Sequence, residues 1–111
     1  MSLVSKFLRK YHGGYSHWCA GCEAMHPIAV EIPLSNGAKW TFDGSVEAPT
    51  FNPSINISVG PWKDGHIERC HYYLKNGELE YLGDCTHKLA GQKVRLPEIP
   101  KYLQAYEDDT K

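Results

Sequence analysis

The chain has 111 residues, 41% hydrophobic and 23% charged, with a formal net charge of -1. This length fits one domain and excludes a two-domain enzyme, and the apolar content excludes a disordered tail. The charge balance excludes a polycation that holds nucleic acid by bulk charge. No apolar run approaches the length of about 18 residues that a spanning helix needs, and the N-terminus lacks a signal peptide's apolar core. We therefore predict a cytoplasmic protein without a membrane partner.

In the first third of the chain, the spacing of apolar residues changes from that of a helix to that of a strand. Apolar residues at three- and four-residue intervals predict a short helix over residues 3–11, which ends at Gly13-Gly14. Residues 28–34 then alternate as a half-buried strand does. The turn-forming sequence that follows predicts a hairpin whose return strand is formed by residues 39–42.

The middle of the chain contains the strongest strand signals. Residues 49–53 carry two prolines, which lack the donor for a strand ladder, and are predicted to form an edge strand or a loop. Residues 54–59 alternate strictly and predict a strand. Residues 70–82 predict a hairpin that turns on Asn76-Gly77, the preferred pair for a type I′ connection.

Weaker signals follow towards the C-terminus. Residues 94–96 predict a last strand, and Leu103 with Tyr106 predicts a terminal helical turn. Residues 107–111 are predicted to be frayed. The expected fold is a single domain over residues 1–111 with its core at about residues 14–97, all-β or β-rich α+β. It would consist of antiparallel hairpins arranged like a zinc ribbon, with short terminal helices.

Four cysteines and six histidines carry the most specific chemical signal. Cys19 and Cys22 form a Cys-x-x-Cys pair with glycine between them, which lets two thiolates reach one tetrahedral ion. If the last hairpin continues regularly, Cys70 and Cys85 share one face of the sheet as diagonal neighbours. We therefore predict a structural Zn²⁺ site with these four thiolates as ligands. The alternative ligand set has three cysteines plus His87.

Other uses of the cysteines are weaker interpretations. A cytoplasmic protein keeps its thiols reduced, which disfavours two disulfides, and the histidines favour metal over unligated thiols. The segment from Trp18 to Cys22 resembles the redox stretch of thioredoxins. However, only 18 residues precede Cys19 and Pro27 leads into a strand pattern, so the flanking strand and helices of that fold are missing.

Several histidines and acidic residues near the cysteines are candidates for catalysis. His26, His71 and His87 exceed what a sulfur-only ion needs, and Asp84 directly precedes a cysteine. We expect these groups to support the ligands or to form hydrogen bonds in the core. The second hypothesis is a small zinc-dependent hydrolase in which His71, Asp84 or His87 acts as acid or base.

A series of motifs resembles a domain-of-unknown-function family from bacteriophages and prophages, whose members often carry the label "ammonia monooxygenase". The motifs are His17-Trp-Cys-x-Gly-Cys22, Trp40-x-Phe-Asp-Gly44, Pro49-Thr-Phe-x-Pro-Ser54, Cys70-His71 and Asp84-Cys-Thr-His-x-Leu-Ala-Gly91. The resemblance implies a phage-associated, zinc-containing, β-rich protein in which Cys70, His71, Cys85 and His87 belong to one constellation. It implies no activity. The label does not fit, because a monooxygenase of that type is an integral membrane copper or iron system.

The function expected from the sequence is that of a zinc-binding accessory protein encoded by a phage or prophage. We expect a binding module rather than an enzyme, because a closed four-thiolate site leaves no coordination position for a substrate. A host or phage protein is the expected partner, and the net charge does not favour nucleic acid.

Overall fold

The structure is a computed structural model that describes residues 3–104. The elements are β1 (Arg9–Tyr11), β2 (Gly14–Cys19), β3 (Ala24–Ala29), β4 (Thr41–Phe42), β5 (Phe51–Val59), β6 (Glu68–Lys75), β7 (Glu78–Tyr81), β8 (Lys93–Arg95) and α1 (Lys101–Gln104). They form two antiparallel sheets, one with the order β1-β2-β3 and one with the order β4-β5-β6-β7-β8. The predicted β-rich fold is confirmed.

One hydrophobic core joins the two sheets. Tyr15 of β2 packs its ring against Phe42 and Phe51, with ring centroids 4.8 and 6.3 Å apart. The fully buried members of the same cluster come from both sheets and from Leu8, directly before β1; the sheet members include Ile28, Ile55, Tyr72, Leu74, Leu79 and Tyr81. Because each fully buried apolar side chain contributes about 1.5–3 kcal/mol, this shared core holds the sheets as one unit.

The predicted hairpin at Asn76-Gly77 is confirmed with its register. Lys75 lies opposite Glu78 and Tyr72 lies opposite Tyr81, as the two-residue turn requires. Asn76 and Gly77 have φ angles of 49° and 75°, the left-handed values of a type I′ turn. The strands predicted at residues 54–59 and 94–96 correspond to β5 and β8.

The predicted N-terminal helix is wrong. Ser5 Oγ accepts hydrogen bonds from the N–H groups of Phe7 and Leu8, both at 3.1 Å, and this side chain replaces helical bonding in the segment. Residues 9–11 then pair with β2 as strand β1. Helices this short are marginal in water, so strand pairing and the burial of Leu8 decide the conformation.

The hairpin predicted over residues 28–42 is also wrong. The N–H groups of Val30 and Ile32 both point to the carbonyl of Gly13, at 3.0 and 3.2 Å, which turns the chain away from β2 at the end of β3. A turn does form near Gly37, where φ is 88°. The return strand is only the two residues of β4, and these pair with β5 in the other sheet.

The proline-rich segment before residue 54 becomes a bulged part of β5. Phe51 lies opposite Leu74 and Ile55 lies opposite Tyr72, so β5 uses four residue steps where β6 uses two. The extra residues include Pro53, which needs no ladder partner at a bulge. Ser54 follows this proline directly.

The predicted terminal helix is confirmed by α1, but Tyr106 and the fraying predicted for residues 107–111 lie outside the described residues. Between residues 3 and 104, no helix has both the length and the apolar character needed to cross a membrane.

Candidate functional site

Three thiols and one imidazole converge where the turn between β2 and β3 approaches β6. Cys19 ends β2, Cys22 lies in the turn, Cys70 lies in β6 and His87 lies in the loop after β7. Their ligand atoms all lie within 4.8 Å of one another. This cluster can hold a metal ion.

The distances inside the cluster fit tetrahedral coordination. Cys19 Sγ lies 3.7 Å from Cys70 Sγ, and Cys70 Sγ lies 3.4 Å from Nε2 of His87. Metal–sulfur bonds of about 2.3 Å and metal–nitrogen bonds of about 2.0 Å separate ligand atoms by about 3.5–3.8 Å at tetrahedral angles. The cluster therefore needs little rearrangement to close around one ion.

Hydrogen bonds concentrate negative charge on Cys19. The thiol of Cys70 and the hydroxyl of Tyr81, 3.2 Å away, donate to Cys19 Sγ, and together they lower the pKa of Cys19 to about 4 despite its burial. The nearby Cys19 thiolate raises the pKa of Cys70 well above its ordinary value, and burial raises that of Cys22 to about 11. Because a metal ion binds thiolates, metal binding at this cluster would displace the thiol protons.

Cys85, predicted as the fourth thiolate, faces the backbone of β6. Its Sγ accepts a hydrogen bond from the His71 N–H at 3.2 Å and donates to the His71 carbonyl at 3.1 Å. The chain leaves the regular ladder after Tyr81, so the alternation of the hairpin no longer predicts where Cys85 points. His87, the alternative ligand, belongs to the cluster that the structure brings together.

A second polar cluster lies on the opposite face of β6. Ser54 Oγ lies 3.2 Å from Nε2 of His71, and Nδ1 of His71 lies 3.1 Å from Oδ2 of Asp84. The three side chains form a continuous serine–histidine–carboxylate chain. The sequence predicted His71 and Asp84 as candidate acid–base residues, and the structure brings those two together.

The fold fixes each member of this chain. The register places Asn56 opposite His71, so Ser54, two residues earlier on β5, shares the same sheet face as His71. The indole N–H of Trp40 donates to the carbonyl of Ser54 at 3.1 Å. The His71 carbonyl accepts a hydrogen bond from the Leu82 N–H at 2.9 Å. The Cys85 thiol also bonds to the N–H and to the carbonyl of His71. The histidine backbone is therefore held firmly, while its ring stays accessible.

Exposure and charge suit the three residues to chemistry. The His71 side chain is 23% exposed and that of Asp84 is 43% exposed, so both can be reached from solvent. The hydrogen bond from His71 lowers the pKa of Asp84 below its ordinary value of 3.8. Asp84 therefore stays ionised at neutral pH and orients the imidazole towards Ser54.

The remaining candidate, His26, is part of a buried network. His17 Nε2 lies 2.6 Å from the Tyr72 hydroxyl, and His26 Nδ1 lies 3.1 Å from the same oxygen. His17 Nδ1 contacts the Trp18 carbonyl at 3.1 Å, so this nitrogen carries the proton and Nε2 accepts from Tyr72. Burial lowers the pKa of His17 to about 3, and the network is neutral.

Sequence reasoning missed Ser54 as a functional residue. A serine in an alternating strand carries no chemical signal of its own, and its pairing with His71 depends on the register of two strands joined by a long connection. The only signal that could have found it is its place at the end of the Pro49–Ser54 motif, directly after a proline where a bulge is expected.

No curated protein and no solved structure matches the chain. Residues 3–82, more than half of the chain, match the family described as bacterial ubiquitination-like system serine protease (BubE). The matched range contains Ser54 and His71, whereas Asp84 and His87 follow it closely. The chain therefore belongs to the BubE family of bacterial ubiquitination-like system serine proteases.

Proposed function

We propose that this protein is a serine protease in which Ser54 is the nucleophile, His71 the general base and Asp84 the residue that orients His71. The observation that carries the proposal is the unbroken chain from Ser54 Oγ through both ring nitrogens of His71 to the Asp84 carboxylate. The three roles require this order of contacts, and the roles are recognised by geometry rather than by position in the sequence. The description of the family supports the same reaction.

The reaction proceeds in two halves. Ser54 Oγ bonds to the carbonyl carbon of the substrate while its proton passes to Nε2 of His71. The imidazolium then gives this proton to the leaving amine as the carbon–nitrogen bond breaks. In the second half, the oxygen of a water molecule bonds to the acyl carbon while His71 takes a proton from that water. The ester bond to Ser54 Oγ then breaks, the proton passes from His71 to Ser54 Oγ, and the carboxylic acid is released.

We further propose that the cluster of Cys19, Cys22, Cys70 and His87 holds a structural Zn²⁺. Thiolate and imidazole ligands in tetrahedral array suit zinc, and four protein ligands leave no position for a catalytic water. The metal would fix β6 to the turn between β2 and β3. The nucleophile of this proposal is therefore Ser54 and not a zinc-bound water.

This proposal takes up the hydrolase hypothesis in a changed form and replaces the accessory module expected from the sequence. A binding module does not need a serine, a histidine and a carboxylate that are hydrogen-bonded in series, whereas nucleophilic catalysis does. The family description names a bacterial ubiquitination-like system, which supports a bacterial protein modifier or its conjugates as substrate. The expected phage or prophage origin stays a prediction.

A fluorophosphonate probe tests the nucleophile. The wild-type protein is expected to form one covalent adduct, which mass spectrometry maps to Ser54, and to hydrolyse p-nitrophenyl acetate. Ser54→Ala should lose the adduct and nearly all turnover. Ser35→Ala, in an exposed loop, is the matched control and should retain both. An adduct elsewhere, or none, would refute the proposal.

A further inference from the structure

The outer edge of β5 is open next to the nucleophile. The partner on that side, β4, pairs only with Phe51 and Asn52. Between residues 3 and 104, no other strand pairs with this edge beyond Asn52. Strand β5 continues to Val59 and pairs with β6 on its other side only. The carbonyl of Ser54 is taken by the Trp40 indole, and the edge from Ile55 to Val59 is available to another chain.

The direction of the backbone groups follows from the ladder. The carbonyl of His71 accepts a hydrogen bond from Leu82, so the backbone groups of His71 point towards β7. Backbone groups alternate along a strand, and those of the neighbouring residue Cys70 therefore point towards β5, where Cys70 lies opposite Ile57. Ile57 therefore bonds to β6, and Asn56 directs both groups outwards. Ser58, two residues further along β5, also directs its N–H and C=O groups outwards.

The carbonyl of Ser54, two residues before Asn56, also points outwards, as the alternation of backbone groups requires. It accepts the Trp40 indole N–H at 3.1 Å, on the side away from β6. Asn56 and Ser58 are exposed, and no partner for their backbone groups exists within the described residues. Unpaired donors and acceptors at a strand spacing form a template for one more strand.

A cavity lies beside this edge on the inner face of the sheet. It has a volume of about 810 Å³ and has an apolar wall of Ile57 and Val59 of β5 with Ile67. Its floor adjoins the metal cluster, because Cys22, Cys70 and His87 also line it. The outer face carries Ser54 and His71 instead. A strand added to the edge would place alternate side chains in the cavity and the intervening ones beside the triad.

We infer that the substrate binds as an extended peptide segment that pairs with Asn56 and Ser58 of β5 and places an apolar side chain in the adjoining cavity. Backbone pairing supplies the affinity and aligns the scissile carbonyl with Ser54, while the cavity supplies the side-chain preference. This inference rests on the proposed serine protease activity and adds the class of substrate to it: unfolded, extended chain rather than folded surface or small ester.

Proline at residue 56 tests the backbone contact. Asn56→Pro removes an amide that points outwards, so the ladder with β6 is kept. With fluorescein-labelled casein as the unfolded substrate and p-nitrophenyl acetate as the small ester, the ratio of casein to ester kcat/KM should fall at least tenfold. Lys93→Pro is the matched control, because its amide points outwards at the opposite edge of the sheet. It should retain the wild-type ratio.

A measurement independent of catalysis supports the same test. In the free Ser54→Ala protein, the amides of Ile55 and Ile57 should exchange slowly with solvent, and those of Asn56 and Ser58 should exchange fast. Casein should slow exchange at Asn56 and Ser58 in this inactive variant. Slow exchange at Ile57 in Asn56→Pro and in Lys93→Pro would show that both proline variants are folded.

The outcomes separate the two proposals. Wild-type protein that hydrolyses the ester but does not cleave casein, or a casein-to-ester ratio that Asn56→Pro leaves intact, would overturn the inference and keep the triad. A wild-type protein that hydrolyses neither substrate and forms no fluorophosphonate adduct would refute the proposed function itself.

Discussion

Cys70 and His71 are consecutive residues of β6, and their side chains serve two different clusters on opposite faces of the sheet. Cys70 Sγ lies 3.4 Å from the His87 imidazole, and His71 Nε2 lies 3.2 Å from Ser54 Oγ. The strand that carries the proposed general base is thus the same strand that the proposed metal would hold. Stability and catalysis are expected to depend on each other through this strand.

Removal of the metal is expected to reduce both properties. A structural zinc contributes on the order of 10 kcal/mol of apparent folding free energy. Loss of only about 3 kcal/mol would lower the Tm of a domain this size by roughly 10–20 °C. Treatment with a strong chelator should therefore lower the Tm by at least about 10 °C and abolish fluorophosphonate labelling, and added Zn²⁺ should restore both. Reduced, metal-free protein with an unchanged Tm would contradict the metal site.

The two ligand sets predict different variants to lose zinc. With Cys19, Cys22, Cys70 and His87 as ligands, His87→Ala should lose the metal and Cys85→Ser should keep one zinc per chain, as measured by elemental analysis. His12→Ala, exposed in the turn between β1 and β2, is the control for loss of a histidine. Retention of zinc in His87→Ala together with its loss in Cys85→Ser would favour the four-thiolate set.

Gly21 makes room for the His87 ring. A Cβ atom at position 21 would lie 2.3–2.5 Å from three atoms of this imidazole, far inside van der Waals contact. The ring also packs at 83° on Tyr81, with centroids 4.6 Å apart, so it has no easy alternative position. Gly21→Ala should therefore weaken zinc binding at least tenfold in a competition with a metal indicator.

Gly83→Ala is the matched control for this glycine. A Cβ atom at position 83 meets no atom within 4 Å, and its φ angle lies outside the left-handed region. Zinc affinity should stay within a factor of two. Equal effects of both substitutions would mean that the placement of His87 does not depend on the space at Gly21.

Asp84 should matter for catalysis rather than for folding. In Asp84→Asn, the amide no longer holds Nδ1–H of His71 in the required tautomer, and kcat should fall by about 10²–10⁴ with a smaller change in KM. The Tm should change little, since surface pairs of this kind contribute little to stability. A variant with wild-type kcat would remove Asp84 from the mechanism.

The lowered pKa of Asp84 also predicts the sign of a pH effect. A carboxylate whose pKa is lower in the folded state contributes stability above its unfolded pKa of about 3.8, and this contribution is lost as the pH falls through the folded value. Any stability difference between wild type and Asp84→Asn should therefore be constant at neutral pH and disappear only in strong acid. Urea titrations between pH 2 and pH 7 would measure the difference, and a difference that disappears near neutral pH would contradict the assignment.

The sequence alone determined those features that depend only on residues close together in the chain. Asn76-Gly77 specifies a type I′ turn and thereby the register of Tyr72 with Tyr81, because only left-handed φ angles satisfy a two-residue connection. The spacing of Cys19 and Cys22 likewise brings two thiols together by local geometry. Alternation along β6 also placed Cys70 and His71 on opposite faces in advance.

Tertiary structure decided what depends on contacts between distant residues. The helical spacing before Tyr11 gave way to pairing with β2, and the strand alternation after Ala29 gave way to hydrogen bonds with the Gly13 carbonyl. The free energy of a short element comes mainly from the residues that pack on it. The bend after Tyr81 gave the fourth position in the thiol cluster to His87 and left Cys85 to hold the His71 backbone. Ser54 became a candidate nucleophile only when the register of β5 against β6 placed its hydroxyl beside His71, because neither residue carries any local signal of the other.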